Sequence, residues 1–467
     1  MRRYRQFGEI RGIGATSHVL DIEDKRIVVD WGVEFERNAS GSNTSLPPSG
    51  NWLVGEKVDA IIVSHAHMDH IGAMPRLAAK HPEATIYISA QALAAGEILL
   101  NDSLKIARQE TRAARDAGHE PPIEIFNAWE LNAFLHSPAL EVVDSPTWFE
   151  PWEGWKIGFH PAGHDTGAMM TLIVPPQEGP VIITGDISSH DQEIVPGVML
   201  PDRAFSEDFL DLPGLVLITE STNGNRKSPG PRSEIKKELI RVSRIVEARG
   251  GVILCAAFAK NRSGNLTLIF VEAGIVPHID GLARILVPTE IPYLQQLIDE
   301  KKVALFGRGK SEIEREATDQ HRKMVDRGED AVCNLKFSPI ISPSADLEKG
   351  FGVKHAQRIL EDPRNAVFFA GHIFEGTVAE QILNIKRGRT VKLGDQIVNV
   401  RCDVFHFDLS GHDYQEALVE RVRLAHPETV ILHHGSLEAC DALTGAIKTL
   451  PDAPRVERGE YLSDIEL

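Results

Sequence analysis

The chain has little cysteine and lacks long apolar runs. Its 467 residues include four cysteines, Cys255, Cys333, Cys402 and Cys440, too few and too scattered for a disulfide framework or a Cys-x-x-Cys zinc site. No run approaches the roughly 18 consecutive apolar residues of a membrane span, and the N-terminus lacks the apolar segment of a secretory signal. We therefore expect a cytoplasmic protein with no membrane partner.

Positive charge is also in deficit. Lys and Arg number 50 against 67 Asp and Glu, a net charge of −17, which argues against nucleic-acid binding over the whole surface. Residues 222–262 reverse this balance with ten basic and three acidic residues. A helix predicted over Ser233–Arg249 places Lys237, Arg241 and Arg244 on one face. That face is either a solvated surface or a track for a phosphate backbone.

The length suggests two or three domains at ~100–200 residues each. Several apolar segments end in a polar residue. This pattern predicts buried strands with functional residues at their carboxyl ends, the usual place of ligand sites in α/β sheets. They are KRIVVD ending at Asp30, VDAIIV before a histidine cluster, GPVIITGD ending at Asp186 and LPGLVLITE ending at Glu220. After residue 222 an α/β alternation is predicted, with a strand at ARILVPT and a hairpin turning at Gly394 and Asp395.

A cluster of histidine and aspartate is the strongest chemical signal. His65, His67, Asp69 and His70 follow a predicted strand within six residues, and imidazole and carboxylate are ligands that suit zinc. Further candidates at other strand ends are His164, Asp186 and His434. Taken singly, the cluster could be surface histidines, Asp186 a turn cap and His164 structural. Taken together, they suit two metal ions about 3.5–4 Å apart, an arrangement that serves phosphoester hydrolysis.

Several motifs, in order along nearly the whole chain, resemble those of the β-CASP nucleases of the metallo-β-lactamase superfamily. They are HAHMDH at 65–70, LLNDSLKIARQ at 99–109, TEST at 219–222, ILCAAFAKNRSGNLTLIF at 253–270, FFAGHIFEGTVAEQIL at 368–383, SGHDYQE at 410–416 and HHGS at 433–436. The resemblance implies an α/β fold, an αββα metallo-β-lactamase sandwich with an inserted α/β β-CASP domain. We expect the insert at 206–404, between a first part at 1–205 and a return segment at 405–467.

The resemblance also implies a cofactor of two zinc ions per chain. One set of ligands would be His65, His67, His164 and a bridging Asp186, and the other Asp69, His70, Asp186 and His434. Asp69 would also count among the catalytic residues.

Three further residues receive roles from the same resemblance. Asp30 would orient a ligand histidine from outside the metal site. Glu220 would hold the imidazole of His412, which would protonate the departing oxygen. Without the resemblance, Glu220 would read as a loop cap and His412 as a solvated loop residue.

The expected substrate is single-stranded RNA. DNA-directed relatives usually carry valine at the position of His434, which favours RNA, although DNA and self-association stay open. Expected substrate contacts are Ser410, Lys237, Arg241 and Arg244.

Tyr414 stands where relatives that degrade RNA from the 5′ end carry a small serine, which favours internal cleavage with secondary 5′ exonuclease activity. The chain also departs from the family pattern at Asn261, His372 and Phe374. The alternatives are a hydrolase of small esters or thioesters, a DNA nuclease and a catalytically silent RNA-processing scaffold.

Overall fold

Buried strands that alternate with amphipathic helices build the protein. The computed structural model describes residues 2–8, 14–37, 43–48, 53–198, 213–305, 338–459 and 464–467. Two compact units are present: the first comprises Met1–Asp191, Val195–Ser228 and Gly411–Leu467, and the second Gln192–Ile194 and Pro229–Ser410. The second unit is thus inserted into the chain of the first.

The first unit contains two seven-stranded sheets. In spatial order the first sheet consists of β24 (Ile465–Glu466), β1 (Arg2–Gln6), β2 (His18–Ile22), β3 (Lys25–Val29), β6 (Ala60–Ile62), β7 (Thr85–Ser89) and β8 (Leu140–Val143). The second consists of β23 (Arg455–Arg458), β22 (Thr429–His433), β13 (Val216–Glu220), β12 (Val181–Ile183), β11 (Met169–Val174), β10 (Lys156–Pro161) and β9 (Thr147–Phe149). A separate antiparallel pair is β4 (Glu34–Arg37) with β5 (Asn43–Leu46).

The two sheets share one apolar core. Leu20, Ile27 and Ile62 of the first sheet pack with Phe159 and Ile218 of the second, and all five are fully buried. Removing such aliphatic and aromatic side chains from water is the main source of stability, at roughly 1.5–3 kcal/mol each. The core therefore holds the sheets face to face.

Helices cover the outer faces of both sheets. Beside the first sheet are α1 (Met68–Ile71), α2 (Met74–Lys80), α3 (Ala90–Asp116) and α4 (Ala128–Leu135). Against the second lie α11 (Gln415–Ala425) and α12 (Leu437–Ile447), whose Leu418 and Leu443 pack on the buried face of its strands. The helix–sheet–sheet–helix order confirms the expected αββα sandwich.

The second unit is a parallel α/β domain. Its six-stranded sheet has the order β16 (Ala304–Leu305), β15 (His278–Ile279), β17 (Ile340–Pro343), β14 (Ile253–Ala257), β18 (Ala366–Ala370) and β21 (Asp403–Phe407). Its helices are α5 (Arg232–Ala248), α6 (Arg262–Glu272), α7 (Ala283–Glu290), α8 (Leu294–Asp299), α9 (Phe351–Ile359) and α10 (Val378–Asn384). The expected hairpin is β19 (Thr390–Leu393) paired with β20 (Gln396–Asn399).

One predicted element and both predicted borders of the insert differ from the structure. ARILVPT, predicted as a strand, is the helix α7, because its buried residues recur with helical spacing at Ala283, Leu286, Val287 and Glu290. The border predicted at 404 falls inside β21, which pairs with β18 of the second unit, so that unit continues to Ser410. The border predicted at 205–206 lies outside the described residues, as does Cys333, but residues 213–228 belong to the first unit, so the long part of the second unit begins at Pro229.

Among the described residues, no helix is both long and apolar enough to cross a membrane. The described cysteines, Cys255, Cys402 and Cys440, are free and buried.

Candidate metal centre and active site

Strand ends of the first unit bring the polar residues together. Strands β3 and β6 are parallel, and β12, β13 and β22 are parallel in the second sheet. Their carboxyl ends therefore deliver short loops to the same edge of each sheet. The residues at or just after these ends are Asp30, His65, His67, Asp186, Glu220 and His434, and His164 lies in the connection between β10 and β11.

Three histidines and one aspartate converge on a first point. Nδ1 of His67 lies 3.0 Å from Nε2 of His65 and 3.0 Å from Nε2 of His164. Oδ2 of Asp186 lies 3.5 Å from Nε2 of His65 and 3.6 Å from Nε2 of His164. These four side chains form one donor set.

The other oxygen of Asp186 faces a second set. Oδ1 of Asp186 lies 3.4 Å from Nε2 of His70 and 3.4 Å from Nδ1 of His434. Asp69 completes this set, with Oδ2 at 3.2 Å from Nε2 of His434. Asp186 thus presents one oxygen to each group.

The donors fit divalent metal ions. Metal–donor bonds of about 2.0–2.1 Å in a tetrahedral site put neighbouring donors roughly 3.4 Å apart, close to the separations found in both sets. Nε2 of His70 and Oδ1 of Asp186 are buried and have no hydrogen-bond partner among the described residues. Unsatisfied buried polar atoms are costly, and a shared cation would satisfy both.

Two of the inward-facing histidines, His70 and His164, are held from behind through their other nitrogen. Nδ1 of His70 lies 2.8 Å from Oδ2 of Asp30, and Nδ1 of His164 lies 2.8 Å from the carbonyl oxygen of Gly411. Asp30 is fully buried and also accepts from Ser64, whose backbone N–H lies 2.7 Å away and whose hydroxyl lies 2.6 Å away. Such outer contacts fix the ring orientation and the tautomer of a metal ligand.

In the metal-free protein, electrostatics favour ligand behaviour at His65, His164 and Asp186, whereas Asp186 and Asp30 outweigh burial and hold the pKa of His70 well above its ordinary value. Burial, together with the neighbouring His70, holds the pKa of His65 well below its ordinary value, so this imidazole keeps its lone pairs. Burial and His412 act likewise on the pKa of His164. Burial alone would raise the pKa of Asp186, but the surrounding histidines, led by His434, hold it well below its ordinary value. Asp186 is therefore a carboxylate.

His412 and Glu220 form a pair beside the second donor set. Nδ1 of His412 lies 2.9 Å and 2.8 Å from the two carboxylate oxygens of Glu220, and Oε1 of Glu220 also accepts the backbone N–H of Ile187 at 2.8 Å. The opposite nitrogen, Nε2 of His412, lies 4.0 Å from Oδ2 of Asp186. The pair thus directs one imidazole nitrogen toward the donor cluster.

Asp165 is a site residue that the sequence analysis missed. Its side chain is buried, and Oδ2 lies 3.9 Å from Nε2 of His67, the ring nitrogen that faces away from His65 and His164. Its carboxylate also groups with these three histidines as a potential metal donor. Its position directly after His164 in AGHDTGA was the available signal.

The expected substrate contacts lie in the second unit. Ser410 is its last residue, and its carbonyl oxygen accepts from Arg232 at 3.4 Å. The three cations of α5 each pair with a glutamate of the same helix at 2.6–2.8 Å: Lys237 with Glu234, Arg241 with Glu238 and Arg244 with Glu247. These exposed pairs reduce the net charge of that face, and its contact with RNA stays a prediction.

Tyr414 lies in the first unit. It is 8% exposed and precedes the helix α11, and the guanidinium of Arg226 lies 5.8 Å from the centre of its ring. Its expected effect on cleavage mode stays a prediction.

Two family models match the chain. The model of the metallo-beta-lactamase superfamily matches residues 10–225, and that of the Zn-dependent metallo-hydrolase RNA specificity domain matches residues 397–456. A solved structure, a protein of unknown function from Enterococcus faecalis V583, superposes with a TM-score of 0.58 at 13% identity, over 100% of both chains. This likeness supports the fold alone.

Curated relatives match over most of the chain. Probable RNase MJ4 of Methanocaldococcus jannaschii is 23% identical over 91% of this chain and 90% of its own length. Ribonuclease TTHA0252 of Thermus thermophilus is 25% identical over 91% of this chain and 92% of its own length. Endoribonuclease ysh1 of Schizosaccharomyces pombe is 26% identical over 93% of this chain and 54% of its own length. The chain thus contains a metallo-beta-lactamase domain and a Zn-dependent metallo-hydrolase RNA specificity domain, the combination expected of the β-CASP nucleases that its sequence resembles.

Proposed function

We propose that the protein is a two-zinc phosphodiesterase that cuts single-stranded RNA internally. The observation that carries the proposal is the position of the Asp186 carboxylate between two groups of donors: one of its oxygens faces the first group and the other faces the second. Relatives named as ribonucleases match over most of the chain and supply RNA as the substrate class. A cytoplasmic location belongs to the same proposal and agrees with the free, buried cysteines.

In this proposal the two donor sets hold one zinc ion each. The first set comprises His65, His67, His164 and Asp186, and the second Asp69, His70, Asp186 and His434. When bound, two such ions activate a water and counter the charge on the phosphate oxygens. Asp30 fixes the proton of His70 on Nδ1 and so leaves Nε2 available to a metal.

His412 protonates the departing oxygen in this scheme. Glu220 accepts from Nδ1 of His412, which fixes the tautomer and favours the charged imidazolium, so that Nε2 can carry the transferred proton. Glu220 acts through His412, and its own position is fixed by the backbone of Ile187.

The test combines metal content with product sizing. The purified protein should contain about two zinc ions per chain, and Asp186→Asn should lose both zinc and RNA cleavage. Asp59→Asn is a matched control. Asp59 accepts a hydrogen bond from the backbone N–H of Arg26 in β3, and it lies just before β6, at the end of that strand opposite to His65. This control should keep its zinc. Full activity in a zinc-depleted Asp186→Asn protein would contradict the assignment.

Cleavage mode is tested with end-labelled linear RNA, circular RNA of the same sequence and single-stranded DNA. The proposal expects cuts in the circle and internal fragments from linear RNA. Digestion of linear RNA to mononucleotides with an intact circle would show a 5′ exonuclease instead. Activity on DNA alone, on small esters alone or on no substrate would favour the respective alternatives, a DNA nuclease, a small-ester hydrolase and a silent scaffold.

A further inference from the structure

Two loops of the second unit meet at the carboxyl edge of its parallel sheet. Strands β14 and β18 are adjacent and parallel, with Ala256 opposite Phe369. The segment after β14 begins with Phe258, and the segment after β18 contains His372 and Phe374. Ligands of open α/β sheets bind outside these carboxyl ends.

Three aromatic rings from these loops contact one another. The ring centres of Phe258 and Phe374 lie 6.1 Å apart with an interplanar angle of 88°, and those of His372 and Phe374 lie 4.8 Å apart at 77°. Phe374 is 39% exposed, His372 is exposed and Phe258 is partly exposed. Single exposed apolar residues are common, but an edge-to-face group of three rings open to solvent is a defined surface.

The backbone that carries the rings is tied down at both ends. The N–H of Gly371 donates to the carbonyl of Phe407 at 3.2 Å, and Nε2 of His406 lies 2.7 Å from the carbonyl oxygen of Gly371. At the other end the hydroxyl of Thr377 donates to the carbonyl of Phe374 at 2.7 Å. The rings therefore start from an ordered loop, which reduces the entropy lost on binding.

A buried arginine lies beneath the loop that carries the rings. A Cβ atom on Gly371 would come within 3.2 Å of Nε of Arg262, so the guanidinium passes under this loop. Arg262 is buried and donates to the side chains of Gln192 and Asn261, and the carboxylates of Glu193, Glu290 and Asp408 act on its charge. Burial and the nearby Arg232 lower the pKa of Arg262 to about 9, so it stays charged at neutral pH. Solvent-facing rings on an ordered loop suit a ligand that presents flat unpaired aromatic groups, as single-stranded nucleic acid does.

We propose that Phe258, His372 and Phe374 form a stacking platform for unpaired nucleobases of single-stranded RNA. This inference rests on the proposed function and adds a substrate-binding site to it. Stacking on these rings requires unpaired bases, so the platform selects single strands with little regard to sequence. A peptide partner would offer no comparable set of faces spaced along a negative backbone.

The test compares an oligoadenylate with an abasic oligomer of equal length and charge, because the abasic oligomer keeps the phosphates and removes the stacking. Affinity is measured by fluorescence anisotropy in a His412→Ala background, which keeps the RNA intact. Phe374→Ala should weaken binding of the oligoadenylate by about 5- to 100-fold and leave binding of the abasic oligomer within about twofold. Phe374→Trp should preserve binding, whereas Phe374→Leu, which keeps apolar bulk without a π face, should behave like the alanine variant.

Tyr293→Ala is the matched control, since Tyr293 is a 51% exposed aromatic residue elsewhere in the same unit. It should change neither affinity. The platform is refuted, while RNA binding stands, in either of two cases. The first is that the His412→Ala protein with intact rings binds both oligomers equally. The second is that adding Phe374→Ala weakens binding of both oligomers equally. If the background binds neither oligomer and the wild type cuts no RNA, the proposed function fails, and the platform fails with it.

Discussion

Replacing Asp30 by Asn tests how the outer contacts of the metal site set metal affinity. The carboxylate accepts from the backbone and hydroxyl of Ser64 and faces Nδ1 of His70. Asparagine keeps the shape but turns one oxygen into an NH₂ donor. The remaining oxygen of the asparagine would accept the backbone N–H of Ser64, which leaves the new NH₂ group facing Nδ1 of His70. The ring then moves its proton to Nε2, the nitrogen that faces Asp186.

That tautomer cannot donate a lone pair to a metal through Nε2. Loss of an outer carboxylate typically weakens metal binding about 10- to 100-fold, which corresponds to about 1.4–2.8 kcal/mol. The unsatisfied contacts should also lower the free energy of unfolding by about 1–3 kcal/mol. The assay is competition for zinc with a chromophoric chelator, alongside denaturant unfolding of the metal-free protein.

Asp59→Asn separates the two effects. Asp59 accepts from the backbone N–H of Arg26 at 2.9 Å, so its replacement also loses a carboxylate contact without touching a metal donor. Both variants should lose stability, but Asp30→Asn alone should lose zinc affinity. Equal zinc affinities in the two variants would refute the tautomer argument.

Three further predictions concern other groups. His412→Ala should lower kcat about 10²–10⁴-fold at unchanged zinc content, with a milder loss in Glu220→Gln; loss of zinc would show that His412 is a ligand. Asp165→Asn should weaken zinc binding about tenfold or more in the chelator assay, and an unchanged affinity would remove it from the site. For Glu193, burial raises the pKa, but the hydrogen bonds and charges of Arg232 and Lys236 together outweigh burial, and the pKa lies below its ordinary value. This ion pair should therefore stabilise fully above about pH 4.3 and less as the pH falls through the folded-state pKa. Glu193→Gln should lower Tm more at pH 7 than at acidic pH, and a pH-independent difference would contradict the sign.

The sequence predicted those parts of the site that depend on local pattern. Apolar strands that end in Asp30, Asp186 and the histidine cluster are readable because strand period and a polar terminus are local features. The αββα sandwich and its insert followed from motif order, and the structure confirms them.

Features set by long-range contacts were not readable. The strand β13 pairs with β12 and β22, which keeps Glu220 in the first unit. The ion pairs of Arg241 and its neighbours on α5 depend on rotamers, which charge spacing does not specify. The direction of the Asp165 carboxylate toward His67 likewise depends on the turn after β10.

The order of the donors along the chain has a consequence for synthesis. Residues up to Asp186 supply most of the donors, but His412 and His434 follow only after the whole second unit. A chain still on the ribosome therefore has an incomplete second donor set until β22 inserts beside β13. The strand β24 pairs with β1 through Glu466 and Arg3, so the first sheet also depends on residues made after the second unit. The donor cluster should thus stay incomplete, and the protein inactive, until the second unit and β22 have both been synthesised.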